Sequence, residues 1–75
     1  MIDYRNHIEI VQGKRGCKPC VKGTRIAVSD VLGWLANEMS VGDILEDFPE
    51  LTKEAIQACL AYAADRESRV RIIAA

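Results

Sequence analysis

Hydrophobic and polar positions along this chain follow two different periods. In the first third the period is two. His7-Ile8-Glu9-Ile10-Val11-Gln12 sets Ile8 and Ile10 on one face and Glu9 and Val11 on the other, the pattern of a half-buried strand. Gly13-Lys14-Arg15-Gly16 follows as a glycine-bounded turn, and Cys17 to Val28 resumes extended chain. Pro19 biases Lys18 toward β geometry and has no N–H to give a ladder, so the second strand is an edge or an irregular one. Gly23 marks a bulge or a tight bend. A hairpin this small is not stable alone and must pack on other elements or pair with another chain.

From Ser29 the period changes to that of a helix. Ser29 is the expected N-cap of a first helix with Val31, Leu32 and Leu35 as its apolar stripe. Ser40 caps a second, with Asp43 at capping-box spacing and Met39 and Ile44 at the two staple positions. Val41, Ile44, Leu45 and Phe48 repeat at i, i+3, i+4 and i+7 until Pro49 ends the run. Leu51 and Thr52 open a third helix over about 52–66, with Leu51 stapled onto Ile56 and with Ile56, Cys59, Leu60 and Ala63 as its stripe. The pattern predicts one domain, mainly α. Residues 1–28 form a β-hairpin element, 29–67 a three-helix core, and 68–75 a tail that leaves the domain as a strand or a helical arm.

Composition narrows this picture. A chain of 75 residues buries only about 60% of its unfolded surface, so its core is marginal and association would help it. At 49% hydrophobic it is too apolar for a disordered tail, yet no apolar stretch approaches the ~20 residues that span a bilayer. No charged-then-apolar leader opens the chain, and three cysteines are an odd number for a disulfide framework. The expectation is a cytoplasmic protein with reduced thiols. Charge is uneven. Residues 1–25 carry six cations against two acids, and residues 26–75 carry four against nine. Any nucleic-acid footprint must therefore come mostly from the N-terminal third, while the acidic remainder suits a basic protein surface better than phosphate.

Two constellations invite chemistry. Cys17 and Cys20 form a Cys-x-x-Cys pair, but a tetrahedral zinc site needs two further ligands and only Cys59 and His7 remain, at unsuitable spacing. A redox pair of that type belongs at a helix N-terminus in a larger βαβ fold. The expected reading is two small hydrophobes with no metal and no cofactor, and a zinc-binding or redox module stands as an alternative. No acid–base pair, nucleophile triad or phosphate loop is present, so no catalytic residue is expected. The second constellation is the short helix, Phe-Pro-Glu-Leu turn and longer helix, the layout of a helix-turn-helix. It would place Thr52, Lys53 and Gln57 at the exposed start of a recognition helix, with Lys14, Arg15, Lys18 and Lys22 touching phosphates. An antiparallel helical pair with no DNA partner has the same spacing.

Three ordered stretches carry a resemblance that covers nearly the whole chain. Lys18, Pro19, Val21, Lys22, Gly23, Thr24, Arg25, Ile26 and Val28 match one run. Asp47, Phe48, Pro49, Leu51 and Thr52 match a second, and Ala61, Tyr62 and Ala63 a third. Together they resemble the small bacterial domain-of-unknown-function family 433, with Pro19, Gly23, Thr24 and Arg25 as signature residues. Cys17 stands where the family more often has glycine, and Lys22 replaces the commoner arginine. The resemblance implies a homeodomain-like three-helix core with an N-terminal β-hairpin, often as a homodimer. It also implies an antitoxin role in a type II toxin–antitoxin pair, against a toxin with a PIN-like ribonuclease fold, and binding to operator DNA together with that toxin. In such a pair Arg66, Arg69 and Arg71 could meet carboxylates of the toxin, and Val70, Ile72 and Ile73 could fill a groove on it. A stand-alone helix-turn-helix regulator is the alternative.

Overall fold

The computed structural model describes residues 3–13, 16 and 18–74, and of residues 69–74 only the backbone. After a 3-10 turn at Tyr4–Asn6 come strand β1 (Ile8–Glu9) and strand β2 (Cys20–Val21), then helices α1 (Val28–Ala36), α2 (Val41–Asp47) and α3 (Lys53–Ala74). The fold is mainly helical, with three helices behind a short antiparallel hairpin. Among the described residues no helix is long and apolar enough to cross a membrane.

β1 and β2 pair antiparallel with Ile8 opposite Val21 and Glu9 opposite Cys20. The strand stops at Glu9. Ile8 is buried, but Ile10, expected on the same face, is 58% exposed because the ladder has ended before it. β2 then folds straight back. Gly23 at φ +79° lets the chain reverse, and the N–H of Thr24 donates to the Val21 carbonyl at 3.0 Å. The Thr24 hydroxyl donates to that same carbonyl at 2.9 Å and accepts from the Ile26 N–H at 3.0 Å. The Val21 N–H donates to the Ile26 carbonyl and the Val28 N–H to the Pro19 carbonyl, each at 2.9 Å, with Cys20 bridged to Ala27 between them. The stretch from Pro19 to Val28 is thus itself a tight hairpin, and it runs into α1 without a linker.

α1 begins two residues earlier than the Ser29 cap implies. Ala27 is the N-cap residue, and the Asp30 carboxylate reaches back to accept its N–H at 3.0 Å. The acidic half of a capping box therefore suffices, and Ser29 lies inside the first turn. α2 follows its expected signals. Ser40 Oγ accepts from the Asp43 N–H at 3.1 Å, and Asp43 Oδ2 accepts from the Ser40 N–H at 3.0 Å. The Ser40 N–H and, to a lesser degree, the Ser40 hydroxyl beside it hold the Asp43 carboxyl below its usual pKa. Phe48 leaves the helical region at φ -129°, as a residue before proline does. Thr52 Oγ1 accepts from the Ala55 N–H at 3.1 Å and caps α3.

Val31, Ile44, Leu51, Ile56 and Cys59 fill the centre, with Ile8, Val21, Ile26 and Val28 closing it from the hairpin side. Both staples are in place, since Ile44, Leu51 and Ile56 are buried and half-buried Met39 packs against the same cluster. Trp34 stacks on Phe48 with centroids 4.2 Å apart, joining α1 to the end of α2. α3 outlasts the expected end near residue 66, because neither glycine nor proline stands after the stripe to stop it, and its backbone stays helical to Ala74.

The C-terminus of α1 carries a testable strain. Met39 N–H bonds to the Trp34 carbonyl and Glu38 N–H to the Leu35 carbonyl, both at 3.1 Å, which is the Schellman pattern. The left-handed residue is Glu38, at φ +70°. Glu38→Gly should raise stability by about 0.5–1 kcal/mol, since the Cβ penalty outweighs the entropy of the added glycine. A urea midpoint unchanged or lowered in that variant would show that no such strain is held there.

Candidate functional site

Two surfaces hold the residues singled out in the sequence. The first is the helix-turn-helix face. Thr52, Lys53 and Gln57 are all exposed at the start of α3, although the Thr52 hydroxyl is occupied as the helix cap. Around them α2, the turn and α3 expose Asp43, Glu46, Asp47, Glu50 and Glu54. Five exposed carboxylates against one cation, Lys53, over residues 41–57 give this stretch a negative charge that opposes phosphate. Lys14 and Arg15, expected to supply phosphate contacts, lie outside the described residues. Lys22 is exposed in the Val21–Thr24 turn, where its N–H donates to the His7 carbonyl at 2.7 Å.

The second surface is a groove of about 650 Å3 between the lead-in to β2, the start of α1 and the middle of α3. Ile10, Pro19, Val28 and Leu32 give it an apolar floor on the hairpin and α1 side. Tyr62 and Ala63 form the α3 wall, and Lys18, Ser29 and Arg66 supply its polar groups. Arg66 is held in place: its guanidinium carbon lies 5.8 Å from the Tyr62 ring centroid and its Nη1 is 3.5 Å from the Tyr62 hydroxyl. Tyr62 is in turn met edge-on by Tyr4 at 5.3 Å, and the Tyr4 hydroxyl donates to Asp65 Oδ2 at 2.6 Å. The structure thus unites Lys18, expected on phosphate, with Arg66, expected on a protein partner. At about 3.6 residues per turn, Tyr62, Ala63 and Arg66 lie on the side of α3 away from Lys53 and Gln57.

The signature residues explain themselves locally. Gly23 and Thr24 make the turn, Pro19 supplies the carbonyl that receives the Val28 N–H, and Arg25 is exposed beside them. Of the expected partner-facing set, Arg66 is exposed, whereas the side chains of Arg69, Val70, Arg71, Ile72 and Ile73 lie outside the described residues. Sequence reasoning missed Tyr4, Ser29 and Leu32 as parts of one surface. The Tyr62–Arg66 pair carried a usable signal, the i, i+4 spacing of an aromatic and a cation on a helix.

The thiols sit apart from both surfaces. Cys20 is 1% exposed, its Sγ 3.4 Å from the Lys18 carbonyl it donates to, and Cys59 is fully buried in α3. Cys17 lies outside the described residues, and among those described no three His, Cys, Asp or Glu side chains gather as metal ligands. Burial pushes the Cys59 thiol up to about 11 from 9.0. A pKa raised on folding stabilises the fold in full below the unfolded value and is lost as pH rises through the folded one. The Cys59 contribution, about 2–3 kcal/mol at most, should therefore fade between pH 9 and 11. Urea titrations at several pH values check this: the stability gap between wild type and Cys59→Ala should narrow over that window, and a constant gap would refute it.

A family profile described as protein of unknown function (DUF433) matches residues 8–63. Among solved structures the chain is similar to the crystal structure of a DUF433 member protein from Anabaena variabilis ATCC 29413. The two are 26% identical with a TM-score of 0.80, over 95% of this chain and 71% of that one. No curated protein matches.

Proposed function

This chain belongs to the DUF433 family, and we propose that it is a non-enzymatic, antitoxin-like binding protein that neutralises a PIN-like ribonuclease toxin in a bacterial cytoplasm. The observation that carries this reading is that α3 outruns its own core. Ala61 is its last buried residue among the described side chains, yet the helix continues to Ala74. A helical arm bearing Arg66, Arg69 and Arg71 is a sound lever for a nuclease, because a metal-dependent nuclease gathers carboxylates and arginine pairs with them in bidentate geometry. Val70, Ile72 and Ile73 supply apolar residues to the same stretch of sequence. Exposed Ile10, Val11 and Leu60 favour self-association as well, so the working unit is proposed as a homodimer.

Deleting Ser68–Ala75 should leave the domain folded, with a thermal midpoint within a few degrees of wild type, because the contacts among Tyr4, Asp65 and Tyr62 lie before the cut. Neutralisation of the nuclease encoded beside this gene should be lost. If the truncated chain still blocks the nuclease at equal stoichiometry, the inhibitory surface is not the arm.

Promoter binding, as part of this proposal, belongs to the toxin complex rather than to the free chain. The helix-turn-helix face offers Lys53 and Gln57 but is dominated by carboxylates, so the partner must contribute cations. The isolated protein should fail to shift its own upstream DNA at physiological salt. In the complex, Gln57→Ala should reduce discrimination against random DNA, since an amide can pair bidentately with adenine. Specific binding by the free chain would instead favour the stand-alone regulator.

A further inference from the structure

The geometry points to the groove between Pro19, α1 and α3 as a docking site for an acidic amphipathic segment of a partner protein. The inference deepens the partner-binding reading, on which it rests, by assigning a second contact surface that shares only Arg66 with the arm and stating what it takes. Its floor is apolar, from Pro19, Val28, Leu32 and Ile10, the last 58% exposed, and Ala63 adds an apolar residue to the α3 wall. Such a floor gains from burying side chains and gains nothing from a phosphate backbone.

The charges select the sign of the occupant. Among the described residues, Lys18 and Arg66 are the charged ones that line the groove, and no carboxylate does so. Asp65, beside Arg66 in sequence, is engaged by the Tyr4 hydroxyl at 2.6 Å. This cationic rim lies on a chain whose residues 26–75 carry nine acids against four bases. Complementarity therefore calls for apolar side chains flanked by carboxylates. Volume agrees, because about 650 Å3 accommodates the anchors of one or two helical turns rather than a whole element. The receptor is also built in advance. Asp65 fixes Tyr4, Tyr4 meets Tyr62 edge-on, and Tyr62 carries Arg66, so the arginine loses little freedom when a carboxylate arrives.

The test uses the full chain and two fluorescein-labelled helical peptides with leucine at i, i+3, i+4 and i+7, one with glutamate elsewhere and one with lysine. Fluorescence anisotropy should show the glutamate peptide binding at least about tenfold more tightly than the lysine peptide. The double variant Lys18→Glu/Arg66→Glu, at two exposed positions, should reverse that preference. Lys53→Glu, on the far side of α3, should keep it and serves as the control for net charge. Equal affinity for both peptides, an equal loss in Lys53→Glu, or displacement of the glutamate peptide by random duplex DNA at physiological salt would each overturn the docking site. The same variants against the neighbouring nuclease separate the two proposals. If wild type and the double variant bind the nuclease equally, the groove inference falls and the antitoxin reading stands. If wild type ignores the nuclease yet discriminates the peptides, the antitoxin reading falls and the groove stands.

Discussion

The structure depends on one reversal of the backbone, from Val21 to Ile26, held by the Thr24 hydroxyl. That oxygen gives a hydrogen bond to the Val21 carbonyl and takes one from the Ile26 N–H, so a single side chain ties both sides of the turn. Two-residue strands have little pairing energy of their own. With the turn closed, Cys20, Val21, Ile26, Ala27 and Val28 are buried together and the chain enters α1 with its direction already set. The Val28 N–H, otherwise one of the unpaired donors of a helix start, is taken by the Pro19 carbonyl. The same bond places Pro19 against the first turn of α1, which makes one wall of the groove. The family signature is thus, in this chain, the clasp of a small core.

α3 is the element around which the rest is arranged, and its properties change along its length. In its first half the inward side carries Ile56 among the small Ala55, Ala58 and Cys59, which let α1 and the hairpin approach closely. Past Ala61 the core ends, and the residues that follow on that side, Tyr62, Ala63 and Arg66, are half-buried or exposed and face the groove. The outward side runs through exposed Lys53, Gln57 and Leu60. A single helix thus presents a polar outer face near its start and a cation-edged apolar one further along. Separate partners, or separate regions of one partner, are the consistent use of such an arrangement.

What was legible in the sequence was what is local. The Ser40–Asp43 box and the two staples need only four to six consecutive residues, and their bonds and burial stand as the spacing implies. Ser29 misled because Asp30, three residues from Ala27, reaches back to the Ala27 N–H and removes the need for a side-chain cap. Ile10 misled because alternation persists in the sequence after the pairing partner has gone. The length of α3 had no stop signal to read. The groove could not be foreseen at all, since its order depends on Tyr4 meeting Asp65 across 61 positions of chain, a contact that no periodicity encodes.

That long-range contact also bears on how a marginal domain can hold a partner firmly. A cation on a mobile side chain loses roughly 0.5–1.5 kcal/mol of freedom when it is captured, and surface ion pairs are worth little more than that. Arg66 avoids part of this cost because Tyr62 already restricts it, and Tyr62 is restricted by Tyr4. The 3-10 turn that carries Tyr4 is itself pinned by Asp65 of α3, three residues after Tyr62. The N-terminal segment therefore serves the fold and the surface at once. By anchoring on α3 it completes the packing around the hairpin, and by bracing Tyr62 it sets the position of the charge that an acidic partner would meet first.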